Sequence, residues 1–133
     1  MKKRVILTVL MLHIILLLSA CSGNEVVSYV ETPSPSITGT WNLVQASGTI
    51  SGQNYTEIMD LIKQTNGQYT LSFKDNGTVT SAFLINGEVS FSSVKNYSID
   101  GNKITIGNSI LEFSLSADTL TFQDSNASLK FTR

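Results

Sequence analysis

The sequence predicts an all-β fold: a small antiparallel up-and-down β-barrel of about eight strands, with one short helix between the first and second strands. Three observations lead to it. In residues 37–133 apolar side chains mostly alternate with polar ones, and turn residues interrupt the chain about every eight to twelve positions. One segment has helical spacing instead. A stretch of about 97 residues is long enough for one small hydrophobic core, which predicts a single domain.

The alternating apolar residues predict the strands in order. They are Trp41 and Leu43; Tyr69, Leu71 and Phe73; Val79, Phe83 and Ile85; Val89 and Phe91; Tyr97 and Ile99; Ile104 and Ile106; Leu111, Phe113 and Leu115; Leu120 and Phe122; Leu129 and Phe131. Asp-Asn-Gly at 75–77 and Asn-Gly at 86–87 are hairpin turn signals. The aromatic members are candidates for the barrel interior, where Ser81 and Ser93 would leave room or a polar group. Val94 breaks the alternation, which predicts a bulge or a gap.

The segment that does not alternate has apolar residues spaced i, i+3, i+4 and i+7, which places them on one face of a helix. These residues are Tyr55, Ile58, Met59 and Ile62. Asn54 can cap the first turn together with Glu57, and Asn-Gly at 66–67 is a suitable end. Because so short a helix is not stable alone, we expect its apolar face to lie on the strands or over one end of them.

Residues 1–20 have the composition of a signal peptide: three basic residues at 2–4 precede an apolar run at 5–18. The run is shorter than the roughly 20 residues that a membrane-spanning helix needs. The sequence Leu-Ser-Ala-Cys at 18–21 resembles the lipobox of bacterial lipoproteins. That resemblance implies that Cys21 carries a thioether-linked diacylglycerol, and usually an amide-linked acyl chain, after cleavage before it. The alternative is a plain secretory signal peptide with a chance cysteine.

More than one acyl chain on Cys21 would give stable membrane attachment. We therefore expect the protein on the extracytoplasmic face of a bacterial cell envelope, of either the Gram-negative or the Gram-positive kind. Residues 21–36 are rich in serine with two prolines, so after the lipidated cysteine they predict a flexible tether. Residues 26–30 are apolar enough to form a short added strand instead of plain linker.

Composition argues against several functions. Without the leader's three cations, six Lys or Arg accompany ten Asp or Glu, a net charge of about −4, and nothing suggests nucleic-acid binding. The only histidine, His13, lies in the leader, and the only cysteine, Cys21, is assigned to lipid. A mature chain without His or free Cys lacks a Ser-His-Asp or Cys-His nucleophile and the usual zinc ligands. We expect a monomer with no cofactor, no metal and no enzyme activity.

Gly39-Thr40-Trp41, at the start of the first strand, resembles the G-x-W motif of lipocalins and their fatty-acid-binding relatives. In those families the tryptophan plugs the closed end of the barrel and a basic residue from the last strand packs on it. Arg133, at the end of the last predicted strand, is in the position that matches this basic residue. The chain looks most like the short lipocalin-like domains of bacterial lipoproteins. It is shorter than full lipocalins and lacks their second motif, a Thr-Asp-Tyr type turn.

The resemblance implies that the barrel mouth binds a small apolar ligand. The helix at Tyr55, Ile58, Met59 and Ile62 stands where fatty-acid-binding proteins carry a helical lid, so it would cover the open end as a lid; a permanent plug is the alternative. The other function class is a filled barrel that contacts another envelope protein or inhibits an enzyme. An apolar cavity of at least about 300 Å³ under the helix would favour ligand binding.

Overall fold

Nine strands and one helix follow one another in the computed structural model, which describes residues 34–133. They are β1 (Gly39–Ile50), β2 (Gln53–Asn54), α1 (Tyr55–Thr65), β3 (Gly67–Phe73), β4 (Thr78–Ile85), β5 (Glu88–Asp100), β6 (Lys103–Ile106), β7 (Ser109–Leu115), β8 (Thr119–Asp124) and β9 (Ala127–Thr132). All neighbouring strands are antiparallel, and β9 pairs back to β1, which closes eight strands into a barrel. The two-residue β2 pairs with the end of β1. The predicted barrel of about eight strands is confirmed.

Tight hairpin turns connect the strands where Asn and Gly predicted them. Asn86 and Gly87 have φ values of 53° and 81°, so both residues of the β4–β5 turn are in the left-handed region. This is the conformation that two-residue hairpin loops favour, because its twist matches that of the strands. The chain therefore reverses within two residues, and β5 pairs directly with β4.

The core fills the end of the barrel at which β1 begins, which we call the lower end. Its largest fully buried side chains are Trp41, Phe73, Phe122, Phe131, Ile104 and Leu120. The rings of Phe73 and Tyr97 meet edge to face with centroids 5.0 Å apart, as do those of Phe122 and Phe131 at 5.7 Å. Burying each of these side chains contributes roughly 1.5–3 kcal/mol. Aromatic packing therefore fills much of the lower end of the barrel.

The helix α1 begins and ends where the sequence predicts. The Asn54 side chain accepts hydrogen bonds from the backbone N–H groups of Thr56 and Glu57, and its amide donates to the Glu57 carboxylate at 2.9 Å. Asn66 ends the helix with a φ of 49°. The four apolar residues of its inner face pack against the barrel core and are each partly buried: Tyr55, Ile58, Met59 and Ile62. The helix is thus held by tertiary contacts, as its length requires.

Two expectations for β5 are wrong: a bulge or gap at Val94, and a place for Phe91 in the barrel interior. The register irregularity lies at Ser90, since Phe91 pairs with Phe83 and Val89 with Leu84, and the alternation continues through Val94. Phe91 shares a sheet face with the buried Phe83, yet 60 % of its surface is exposed. The reason is that β6 pairs with β5 only from Tyr97 onward. The barrel wall is therefore incomplete beside the first part of β5.

Candidate functional site

Trp41 closes the lower end of the barrel. Its ring is fully buried, and the indole Nε1 donates a hydrogen bond to the Ile37 carbonyl oxygen at 2.7 Å. The guanidinium carbon of Arg133 lies 4.4 Å from the ring centroid, a favourable cation–π arrangement. This is the contact that the resemblance implied for a tryptophan at the closed end and a basic residue at the end of the last strand.

Backbone groups hold Arg133 in place over the ring. Its Nε donates to the Ala117 carbonyl at 2.7 Å, and Nη1 donates to the Thr38 carbonyl at 3.4 Å. Gly39 has a φ of 120°, a conformation that favours glycine. A Cβ at Gly39 would still lie 3.8 Å from Nη1, so the backbone, rather than space, requires glycine there. These residues form a structural seal.

The other end of the barrel, which we call the upper end, lies under α1. The helix contacts β1 and β3. The ring of Tyr55 meets that of Tyr69 edge to face, with centroids 6.1 Å apart. Burial raises the pKa of Tyr55 above its ordinary value, and the neighbouring Tyr69 raises it further. The Tyr55 hydroxyl therefore keeps its proton to a higher pH than a free tyrosine does.

A cavity of about 90 Å³ lies under Tyr55 in the upper half of the barrel. Its apolar lining is Ile50, Leu71, Val79, Ile106, Leu111, Phe122 and Leu129, and its polar lining is Ser51, Gln53, Tyr55, Tyr69, Ser81, Lys95 and Ser109. The predicted interior serine Ser81 donates to the Ser93 carbonyl at 3.4 Å. At about 30 Å³ per water molecule, the cavity holds roughly three waters or a small apolar side chain. It is well below the roughly 300 Å³ of ordinary ligand pockets.

The first part of β5 pairs on one side only. Residues 88–96 of β5 pair with β4, whereas β6 pairs with residues 97–100. We call the unpaired side of residues 88–95 the open edge. Around it Val89 and Phe91 are each 60 % exposed and Val94 is 65 % exposed. An unpaired strand with exposed apolar side chains is a site where another strand can add.

Hydrogen bonds at the end of β5 show which backbone groups face the open edge. Tyr97 N–H donates toward β4, to the Gly77 carbonyl at 2.8 Å. Gly107 N–H donates to the Asn96 carbonyl at 2.9 Å from the opposite side. Since the two sides alternate along an antiparallel strand, the backbone groups of Ser92 and Val94 point to the open edge. Those of Ser93 and Lys95 point to β4.

A notch of about 520 Å³ lies where the open edge ends, beside Lys95. Its lining is Ser51, Val94, Lys95, Asn96, Gly107, Asn108 and Ser109, and we call it the β5 notch. Ser51, Lys95 and Ser109 also line the interior cavity, so the two spaces adjoin. The hydroxyls of Ser51 and Ser109 are hydrogen-bonded to each other. The notch therefore combines one cation, several hydroxyl and amide groups, and an unpaired backbone.

Other surface features of residues 34–133 are less suited to function. A crevice of about 640 Å³ lies between β7 and the β8–β9 hairpin; it is open to solvent like the notch, and two acidic residues, Glu112 and Asp124, line it beside Lys103. No group of three His, Cys, Asp or Glu side chains in this part of the chain could hold a metal ion. Within the same residues, no helix has the length and hydropathy to cross a membrane.

The sequence interpretation overlooked the open edge and Lys95. A signal was present, because Lys95 has the same parity as Phe91, Ser93 and Tyr97, and a charged residue at an inward position is unusual in a filled barrel. The predicted lipid anchor, Cys21, the leader and residues 26–30 lie outside the described residues.

Comparison of the chain with protein-family models, curated proteins and solved structures found no match.

Proposed function

We propose that this chain is a lipid-anchored protein of the bacterial cell envelope whose barrel holds an extended segment of another envelope protein on the open edge of β5. The observation that carries the proposal is the unpaired edge at residues 88–95, with three apolar side chains around it that are at least 60 % exposed. This is the interaction class that the sequence left open beside ligand binding.

The chemistry of strand addition supports the proposal. Main-chain hydrogen bonds to the free groups of Ser92 and Val94 would supply affinity, and contacts with alternate side chains would supply selectivity. Val94 pairs with Thr80 on the outer face of the sheet, whereas Phe91 pairs with Phe83 on the inner face. An added strand would therefore meet apolar side chains on both of its faces.

A proline substitution tests the proposal. Ser92→Pro removes a backbone donor that faces the open edge and leaves the β4–β5 hydrogen bonds intact, since edge positions tolerate proline. The probe is the N-acetylated hexapeptide Thr-Val-Thr-Phe-Thr-Val, titrated into the full-length protein in detergent by isothermal calorimetry. We expect binding to the unsubstituted protein and a loss of about tenfold or more in Ser92→Pro.

Ser92→Ala is the matched control, because it keeps the backbone N–H and should bind like the unsubstituted protein. Unfolding by urea checks that both variants retain the fold. Equal affinity for the peptide in a folded Ser92→Pro variant, or absence of binding to the unsubstituted protein, would refute strand addition at this edge.

The anchor has its own test. Labelling with palmitate should modify the protein through Cys21, and Cys21→Ser should abolish labelling and release the protein from the membrane fraction. A Cys21→Ser protein that is processed but still sediments with membranes would contradict the proposed lipidation. The fold of residues 34–133 is expected to be unchanged, because Cys21 lies outside them.

A small apolar ligand is the second candidate function, favoured by the apolar residues that make up half of the lining of the cavity under Tyr55. At about 90 Å³ the cavity accepts only a few non-hydrogen atoms unless α1 moves away from it. Native mass spectrometry of the protein from its own host tests this directly. A lipid or other apolar molecule that co-purifies in stoichiometric amount would favour ligand binding over strand addition.

A further inference from the structure

We infer that the β5 notch binds the C-terminal carboxylate of the extended segment, with Lys95 as the cation that recognises it. The inference rests on the proposed function and specifies which end of the partner segment the notch binds. Three observations carry it: the position and environment of Lys95, the closure of the edge at Asn96, and the cavity that adjoins the notch.

Lys95 lies at the junction of the notch and the cavity. It pairs with the buried Val79, so its side chain leaves the strand on the inner face. A Cβ built on Gly107 would be 3.2 Å from the Lys95 Cδ, which places the aliphatic stem against the β6–β7 turn. Lys95 therefore lines both spaces and is exposed to solvent at the notch.

Among residues 34–133, Lys95 forms no ion pair. Within residues 34–133 the only ion pair joins Lys63 to Asp60 on α1. No acidic residue is among the described residues that line the notch or the cavity. Ser51 and Ser109 add hydroxyl groups beside the cation. A carboxylate fits these groups, because charge-assisted hydrogen bonds to it are roughly twice as strong as neutral ones.

The open edge stops at the notch. Gly107 donates its N–H to the Asn96 carbonyl, and β6 occupies the same side of β5 from Tyr97 onward. A segment paired with residues 88–95 cannot continue past this point along the edge. A segment that runs parallel to β5 places its C-terminal carboxylate beside the Lys95 ammonium group.

The adjoining cavity offers a place for the last side chain. Its volume of about 90 Å³, and the apolar residues that make up half of its lining, suit a small apolar residue such as valine. Strand addition to a sheet edge and capture of a C-terminal carboxylate are both established modes of peptide recognition. The chemistry therefore selects a partner that ends in a small apolar residue with a free carboxylate.

In one register, a second copy of this chain clashes with the edge. A two-fold antiparallel pairing of two β5 strands that places Ser92 opposite Val94 also places Val89 opposite Tyr97. Tyr97 is already paired with Ile106 of β6 on that side. The β6 strand of each copy would therefore stand where the other copy's β5 must lie.

The test compares two forms of the hexapeptide Thr-Val-Thr-Phe-Thr-Val, one with a free carboxylate and one with a C-terminal amide. Both are titrated into the full-length protein and into Lys95→Gln, with Lys103→Gln as the control for a lysine that lies outside the notch. We expect the acid to bind about tenfold more tightly than the amide. Lys95→Gln should reduce the affinity for the acid to that of the amide and leave the amide unaffected, whereas Lys103→Gln should change neither.

Several outcomes would overturn the inference. If acid and amide bind equally, and both are lost in Ser92→Pro, the proposed strand addition stands and the carboxylate site does not exist. If neither peptide binds, both ideas fail. Titration with butyrate tests whether the notch binds any carboxylate or only the carboxylate at the end of a peptide. Butyrate that binds as tightly as the acid peptide, and equally well in Ser92→Pro, would overturn recognition of a peptide end.

Discussion

The guanidinium of Arg133 lies 4.4 Å from the centre of the Trp41 ring, and the same side chain donates to the Ala117 carbonyl at 2.7 Å. The last residue of the chain is thereby joined to the first strand and to the turn between β7 and β8. Closure of the lower end depends on this arrangement, whereas the cavity and the open edge lie elsewhere in the barrel.

Trp41→Ala should lower the free energy of unfolding by about 3–5 kcal/mol, because it removes the largest fully buried side chain and leaves a cavity. Trp41→Phe, which keeps an aromatic ring but loses the hydrogen bond to Ile37, should give a smaller loss. Urea unfolding monitored by circular dichroism measures both. An unchanged unfolding midpoint in Trp41→Ala would contradict the sealing role.

Arg133→Met should cost about 1–2 kcal/mol of stability, since it removes the cation–π contact and two hydrogen bonds from a charged group. Lys130→Met, in β9 and exposed to solvent like Arg133, is the control for removing a surface cation and should change stability by no more than about 0.5 kcal/mol. Thermal unfolding compares the two variants. Equal effects would mean that the Arg133 contact adds nothing to the seal.

Gly48→Ala should be far more destabilising than Gly52→Ala, although both residues have similar φ values of 86° and 82°. The backbone strain, about 1–2 kcal/mol, is common to both variants. A Cβ at Gly48 would lie 2.8 Å from the Ala127 Cα, so β9 would have to move away from β1, whereas nothing lies within 4 Å at Gly52. If the two variants unfold at the same denaturant concentration, β1 and β9 do not approach as closely as described.

Tyr55 should make stability fall at alkaline pH. Its pKa is raised in the folded state, so above about pH 10 the unfolded chain loses the proton while the folded chain keeps it. The stability that depends on protonated Tyr55 is fully present below about pH 10 and declines as the pH rises toward the folded-state pKa. Tyr55→Phe should therefore show a shallower decline between pH 9 and pH 11 in urea unfolding. An identical slope would indicate that Tyr55 is freely ionised in the folded protein.

Local sequence chemistry was sufficient to predict much of this fold. Alternation and Asn-Gly turns predicted the strands, and Asn54 with Glu57 predicted the start of α1, because these signals act over a few residues. The open edge could not be predicted this way. It depends on β6 being only four residues long beside a β5 of thirteen, a mismatch between two strands that each look ordinary.

The candidate site was missed for the same reason. Alternation placed Phe91 on the inner face correctly but could not tell that the neighbouring strand would stop at Tyr97. The sequence also places Lys95 in line with interior residues without indicating a notch beside it. Whether a position on the inner face is enclosed depends on the length of every neighbouring strand.

Amide hydrogen exchange measured residue by residue tests the open edge most directly. In the protein alone we expect Ser92 and Val94 to exchange much faster than Ser93 and Lys95, whose N–H groups face β4. Addition of the acid hexapeptide should slow exchange at Ser92 and Val94 and leave Ser93 and Lys95 unchanged. Strong protection of Ser92 and Val94 in the protein alone, or no change on addition of peptide, would contradict the account.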